Sequence, residues 1–174
     1  LGHNGAGKST TIGILTGLTA PSAGVAAING LDVSRDMQEI RLNLGVCPQH
    51  DVLFADLTVE EHLTLFASFK GMPRAEIPAA VGTLIADVGL TEKRKAASKS
   101  LSGGMKRKLS LGIAFIGGSK VVFLDEPTSG IDAYSRRFVW NVIRKHKEGR
   151  TIILTTHFLE EADMLGDRIA IMAK

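Results

Sequence analysis

A chain of 174 residues with 44% hydrophobic and 22% charged residues is sized and balanced for one globular domain with a real core. The formal charge of +3 comes from scattered clusters, Lys93-Arg94-Lys95, Lys106-Arg107-Lys108 and Arg144-Lys145, read as solvated helix faces, and they exclude the long single-sign block of a nucleic-acid tail. The lone Cys47 excludes an intramolecular disulfide and a cysteine-built metal site, and the most apolar stretch, 109–124, is too interrupted by Ser110, Gly117, Gly118, Ser119 and Lys120 to be a membrane-spanning helix of ~20 apolar residues.

In chain order, a glycine-rich loop opens the sequence and residues 8–18 read as a helix stopped by Pro21, Ser22 and Gly24. Short strands are expected at 25–28 and 45–47, the second closed by Pro48, which cannot donate to a ladder. From 58 to 115 the pattern turns helical: Leu57, Leu63, Leu65 and Phe66 precede a break at Gly71 and Pro73, and Ile77, Val81, Leu84, Ile85 and Val88 recur at helical spacing. Ser102 is a candidate N-cap for a helix from Gly103 toward Phe115. Residues 121–124, Val-Val-Phe-Leu, form a continuous apolar run suited to a strand buried on both faces. A helix at 133–145, a strand at 151–155, a helix at 159–165 and a last strand at 168–172 follow. The expected architecture is therefore α/β, a mainly parallel sheet flanked by helices, with a core of 1–49 and 116–174 around a helical insert, 50–115.

Three motifs carry chemistry. Gly2-His3-Asn4-Gly5-Ala6-Gly7-Lys8-Ser9 matches the phosphate-loop pattern GxxxxGK[ST] at every fixed position, with Thr10 next on the helix. Glycines there let backbone N–H groups turn inward around phosphates, and the helix that follows presents its positive end to them. Lys8 would reach the β- and γ-phosphates and Ser9 would ligate Mg²⁺. Asp125 and Glu126 end the buried apolar run, where a parallel sheet presents its binding edge. Asp125 would hold Mg²⁺ and Glu126 would polarise a water as general base, although two adjacent acids also make an ordinary solvated loop. Leu101-Ser102-Gly103-Gly104-Met105 opens a helix with a hydroxyl and two bare backbone positions, suited to an anion or to a simple capped turn.

The order of phosphate loop, Gln49, LSGGM, residues 121–126, Ser129-Gly130-Ile131-Asp132 and His157 resembles the nucleotide-binding domain of ABC transporters over essentially the whole chain. That resemblance implies a P-loop ATPase that binds ATP and Mg²⁺ and turns over when a second cassette closes onto it. Gln49 resembles the glutamine that senses Mg²⁺ and the attacking water. Ser102, Gly103 and Gly104 resemble the signature that contacts nucleotide held by the opposite cassette, Asp132 the aspartate that crosses that interface, and His157 the switch histidine. Without the resemblance, His157 reads as a strand-end histidine and Gln49 as a loop amide.

A finer likeness is to subfamily A, whose members resemble lipid exporters. It rests on His3 within the loop, Cys47-Pro48-Gln49-His50-Asp51, Leu57-Thr58-Val59-Glu60-Glu61-His62-Leu63, and Met105 where most families have glutamine. It implies work at the cytosolic face of a membrane, with partners in a second cassette of the same polypeptide and in transmembrane domains that dock through coupling helices. Val52-Leu53-Phe54 is a candidate part of that docking groove or, equally, a buried apolar staple. A soluble ABC ATPase acting on ribosomes or nucleic acid is the rival reading, although no nucleic-acid partner is expected. His3, His50 and His62 are too dispersed for a metal site. Because Leu1 abuts the phosphate loop, the N-terminal β subdomain with its adenine-stacking aromatic, and the strand feeding the loop, are expected to be missing; Trp140 reads as a packing residue.

Overall fold

The computed structural model describes residues 1–3 and 5–173, so Asn4 and Lys174 lie outside the described residues. The apolar run becomes the central strand β4, Val121–Asp125, with all five residues buried. Strands β3, Leu44–Cys47, and β5, Thr151–Thr155, flank it, both parallel to it. The registers are Cys47↔Leu124 on one side and Asp125↔Thr155 on the other, so the carboxyl ends of all three strands meet along one edge.

Successive side chains of a strand point to opposite faces, and here each face has its own cover. Val121 and Phe123 join Leu44 and, from α1 (Lys8–Leu15), Ile12 in the smaller core cluster. The other face is larger. Val122 and Leu124 meet Leu109, Leu111 and Phe115 of α5 (Gly103–Phe115) and Val139, Trp140, Val142 and Ile143 of α6 (Ala133–Lys145). Each fully buried Leu or Phe stabilises by about 1.5–3 kcal/mol relative to exposure. The same cluster takes in Val59, Leu63 and Ala67 of α3 (Val59–Phe69) and Val81, Leu84 and Ile85 of α4 (Ile77–Asp87).

Local signals explain the helix ends. Thr58 and Glu61 form a reciprocal capping box that starts α3: Thr58 Oγ1 accepts from the Glu61 amide at 3.2 Å and Glu61 Oε2 accepts from the Thr58 amide at 2.7 Å. Ser102 caps α5, its Oγ accepting from the Met105 amide at 3.3 Å. Helix α5 lies so close on β3 that a Cβ at Gly45 would overlap the Ala114 carbonyl. Among the described residues no helix is long and apolar enough to cross a membrane.

Several expectations need correction. The opening helix ends at Leu15 rather than 18, because the chain turns back and the amides of Leu18 and Thr19 bond the Gly13 carbonyl. The strand expected at 25–28 shrinks to β1, Ala27–Ile28, which pairs antiparallel with β2, Leu31–Asp32, outside the parallel sheet. Asn29 and Gly30, at φ 51° and 83°, make the two-residue turn that matches strand twist. Helix α2, Met37–Asn43, was not expected. Residues 168–172 form no strand: the Leu1 amine donates to the Ala170 carbonyl and the Met172 amide to the Leu1 carbonyl, both at 2.8 Å, and one residue of neighbour is too little for a ladder. A cleft of about 610 Å³ lies between this segment and β5, lined by Ile12, Ile152, Ile153, Leu154 and Ile169 among others. The last helix, α7, spans Leu159–Leu165.

Candidate functional site

At the carboxyl edge of the sheet the phosphate loop is tied to β5, the Gly2 amide donating to the Thr156 carbonyl at 3.3 Å. Gly7, the N-cap of α1, has φ 92°, a left-handed conformation that a side chain would strain. It turns the chain so that Lys8, 6% exposed, folds inward beneath its own loop. Lys8 Nζ donates to the Gly2 carbonyl at 2.7 Å and the His3 carbonyl at 3.1 Å, and stands 3.6 Å from Glu126 Oε1. Ser9 and Thr10 lie exposed on the first turn of α1, His3 and Gly5 are exposed, and Ala6 is half-buried. Asn4 cannot be placed in this arrangement, since it falls outside the described residues.

Both acids are buried. Asp125 Oδ1 accepts from the Thr155 hydroxyl. Glu126 has φ 45°, a left-handed backbone costing of order 1–3 kcal/mol that persists only when its surroundings over-determine it. Its amide donates to the Thr155 carbonyl and to Thr155 Oγ1, both at 3.1 Å. Thus twisted, its side chain faces two nitrogens: Lys8 Nζ near Oε1, and His157 Nδ1 at 3.2 Å from Oε2. His157 is in turn backed by Phe158, ring centroids 4.0 Å apart, and the Arg136 guanidinium lies 4.3 Å over the Phe158 ring.

Gln49 lies exposed just past the end of β3, next to β4's acidic end, and its backbone carbonyl accepts from Arg107 at 3.3 Å. Before it, burial pushes the Cys47 thiol up to about 11, so the sulfur is inert packing. Ser102, Gly103 and Gly104 lie at the start of α5, and Asp132 at the start of α6. Ser102 and Gly103 are exposed, and Gly104 lies beside Ser135, whose Oγ is 3.7 Å from where a Gly104 Cβ would be. Asp132 caps α6, accepting from the Ser135 amide at 2.9 Å and its hydroxyl at 2.6 Å, bonds that hold its carboxyl below the usual range. The starts of α5 and α6 are therefore neighbours, with Ser102, Gly103 and Asp132 exposed there.

Two residues that pattern reading missed shape the site. Thr155 bridges Asp125 and the Glu126 amide with one hydroxyl. Arg107, grouped with the solvated Lys106-Arg107-Lys108 cluster, is instead 4% exposed. The signal was present, because Arg107, Ser110, Leu111 and Ala114 share one buried helical stripe. Trp140 is a packing residue, its Nε1 donating to buried Glu161 at 2.9 Å. Of Val52-Leu53-Phe54, only Leu53 packs against the core, with Val52 and Phe54 exposed.

Comparison with known proteins places this geometry. A family model described as ABC transporter matches residues 1–129. The Homo sapiens phospholipid-transporting ATPase ABCA3 is 58% identical over 174 residues, all of this chain and 10% of that protein. ATP-binding cassette sub-family A member 2 of Rattus norvegicus is 57% identical over 173 residues, 99% of this chain and 7% of that protein. The chain thus spans about a tenth of the length of these curated relatives. A solved structure of the ATP binding subunit of an ABC transporter superposes with a TM-score of 0.89 at 32% identity, covering 99% of this chain and 72% of that one. With its phosphate loop, buried acids and strand-end histidine gathered on one sheet edge, the chain belongs to the ABC transporter family and resembles its subfamily A.

Proposed function

We propose that this chain binds ATP with Mg²⁺ and hydrolyses it as the nucleotide-binding cassette of a membrane transporter that moves lipid. The observation that carries the reading is the convergence of Lys8 and His157 on Glu126, beside Asp125, at the mouth of the phosphate loop. The lipid assignment draws on relatives named phospholipid-transporting ATPases.

In this reading the amides of Gly2, His3, Asn4, Gly5, Ala6 and Gly7, with Ser9 and Thr10 at the helix start, cradle the phosphates. Lys8 swings from Glu126 to the β- and γ-phosphate oxygens. Mg²⁺, which prefers oxygen ligands and keeps several waters, needs few protein ligands. The all-oxygen set of Ser9, Gln49 and Asp125 fits it, and the ion would supply charge neutralisation at the phosphates. Glu126 accepts the proton of the water that attacks the γ-phosphorus as the bond to the bridging oxygen breaks and ADP leaves. His157 orients water and γ-phosphate against that base.

Residues 1–49 and 116–174 then act as the catalytic core and 50–115 as the helical subdomain. Ser102, Gly103, Gly104 and Asp132, three of them exposed, serve the site of a second cassette rather than their own. The cassette works at the cytosolic face of a membrane, joined to transmembrane domains through coupling helices. The test is Glu126→Gln in the full-length parent protein. Turnover is expected to fall by at least about 100-fold with ATP still bound, the scale of a lost general base; hydrolysis at the parent rate would remove Glu126 from that role.

A further inference from the structure

Arg107 sits on α5, the helix that the signature residues open, yet its side chain points into the sheet edge and not to solvent. Its Nε donates to the Pro127 carbonyl at 2.7 Å, and its Nη2 to the carbonyls of Asp125 at 3.0 Å and Glu126 at 2.9 Å. Its Nη1 donates to the carbonyls of Pro48 at 2.5 Å and Gln49 at 3.3 Å and stands 3.3 Å from Asp51 Oδ1. Five backbone carbonyls and one carboxylate from the ends of two adjacent strands thus converge on a single guanidinium.

Burying a cation is costly, and apolar packing alone would be served by a neutral side chain. A planar fork of five fixed donors, by contrast, can dictate where several carbonyls point. The carbonyl of Glu126 is one of them, and Glu126 holds the left-handed backbone that aims its carboxylate at Lys8 and His157. Its amide is held by Thr155, so Arg107 supplies the restraint on the other side of the residue.

We infer that Arg107 is a positioning residue: it locks Glu126 in its catalytic backbone conformation and ties that conformation to the seating of the signature helix and of the Gln49 loop. A shift of α5 toward or away from the core moves the guanidinium, and with it the carbonyls flanking both the base and the glutamine. The inference rests on the reading of Glu126 as general base.

The experiment uses the full-length parent transporter in lipid vesicles, comparing R107K, E126Q and the double variant. R107K keeps the charge but loses the fork. It is expected to bind a non-hydrolysable ATP analogue within about threefold of the parent and to lower kcat at least about tenfold, as misplacement by about an ångström does. In single-turnover measurements, R107K added to E126Q is expected to cause no further loss, because both act through one group. An unchanged kcat in R107K beside an inactive E126Q overturns the inference and leaves the base assignment standing. Loss of nucleotide binding in R107K, or additive losses in the double variant, overturns it in favour of a purely structural role. Parent-level turnover in E126Q overturns both readings.

Discussion

Lys70, just past the end of α3, turns its ammonium inward to the carbonyls of Leu44 and Arg41 and the hydroxyl of Ser119. Burial pushes it down to about 8 from an ordinary 10.5. Between those values the folded chain has released a proton that the unfolded chain still binds, so stability rises as pH climbs from 8 to 10.5. Thermal melting of the cassette within its parent protein should show that rise, and Lys70→Met should flatten it; an identical profile in the two proteins would show that Lys70 is not its source. Lys8, Asp125 and Glu126 were legible from sequence because each belongs to a short contiguous pattern. Gln49 and His157 have no local pattern, and only resemblance picked them out. Arg107 was misread because its charged neighbours outweighed the helical stripe it shares with Ser110, Leu111 and Ala114, and its partners, carbonyls up to 59 positions distant, lie outside any local window.

Among the elements, β4 and α5 were the most legible: one has β-branched residues in an unbroken apolar run, the other an N-cap and a buried stripe. The Asn29-Gly30 turn went unread, which left β2 unforeseen, and the strand expected at 168–172 lacks a ladder to complete it. The contact of α5 with β3 could not be foreseen, because a glycine marks permission for close approach and not what approaches. At Gly45 that approach leaves no room for a methyl group. Gly45→Ala is expected to destabilise the cassette by about 1–3 kcal/mol through overpacking. A lowered melting temperature of the parent protein's cassette would register it, whereas an unshifted melt would mean that α5 can retreat without cost.

At the scale of the whole molecule, the fold class followed from the alternation of strand and helix and the loop and acids from their motifs, whereas His157 joined them only through the resemblance. The flank of β5 is open, and its isoleucines line a cleft of about 610 Å³. Exposed apolar lining of this extent invites non-specific association. The 174-residue chain on its own is accordingly expected to bind apolar dyes and to melt without a cooperative transition; a sharp cooperative melt would contradict this. The contact between Lys8 and Glu126, 3.6 Å across, carries a broader consequence. One ammonium cannot serve two anions equally, so on the proposed reading the polyphosphate must outcompete the carboxylate for it. The winner's arrival strips Glu126 of its internal counter-ion and frees Oε1, now 3.6 Å from that ammonium, to face a water instead. If Glu126 is the base, its release is thereby made conditional on cargo in the loop, a safeguard wired through a single methylene-tethered charge.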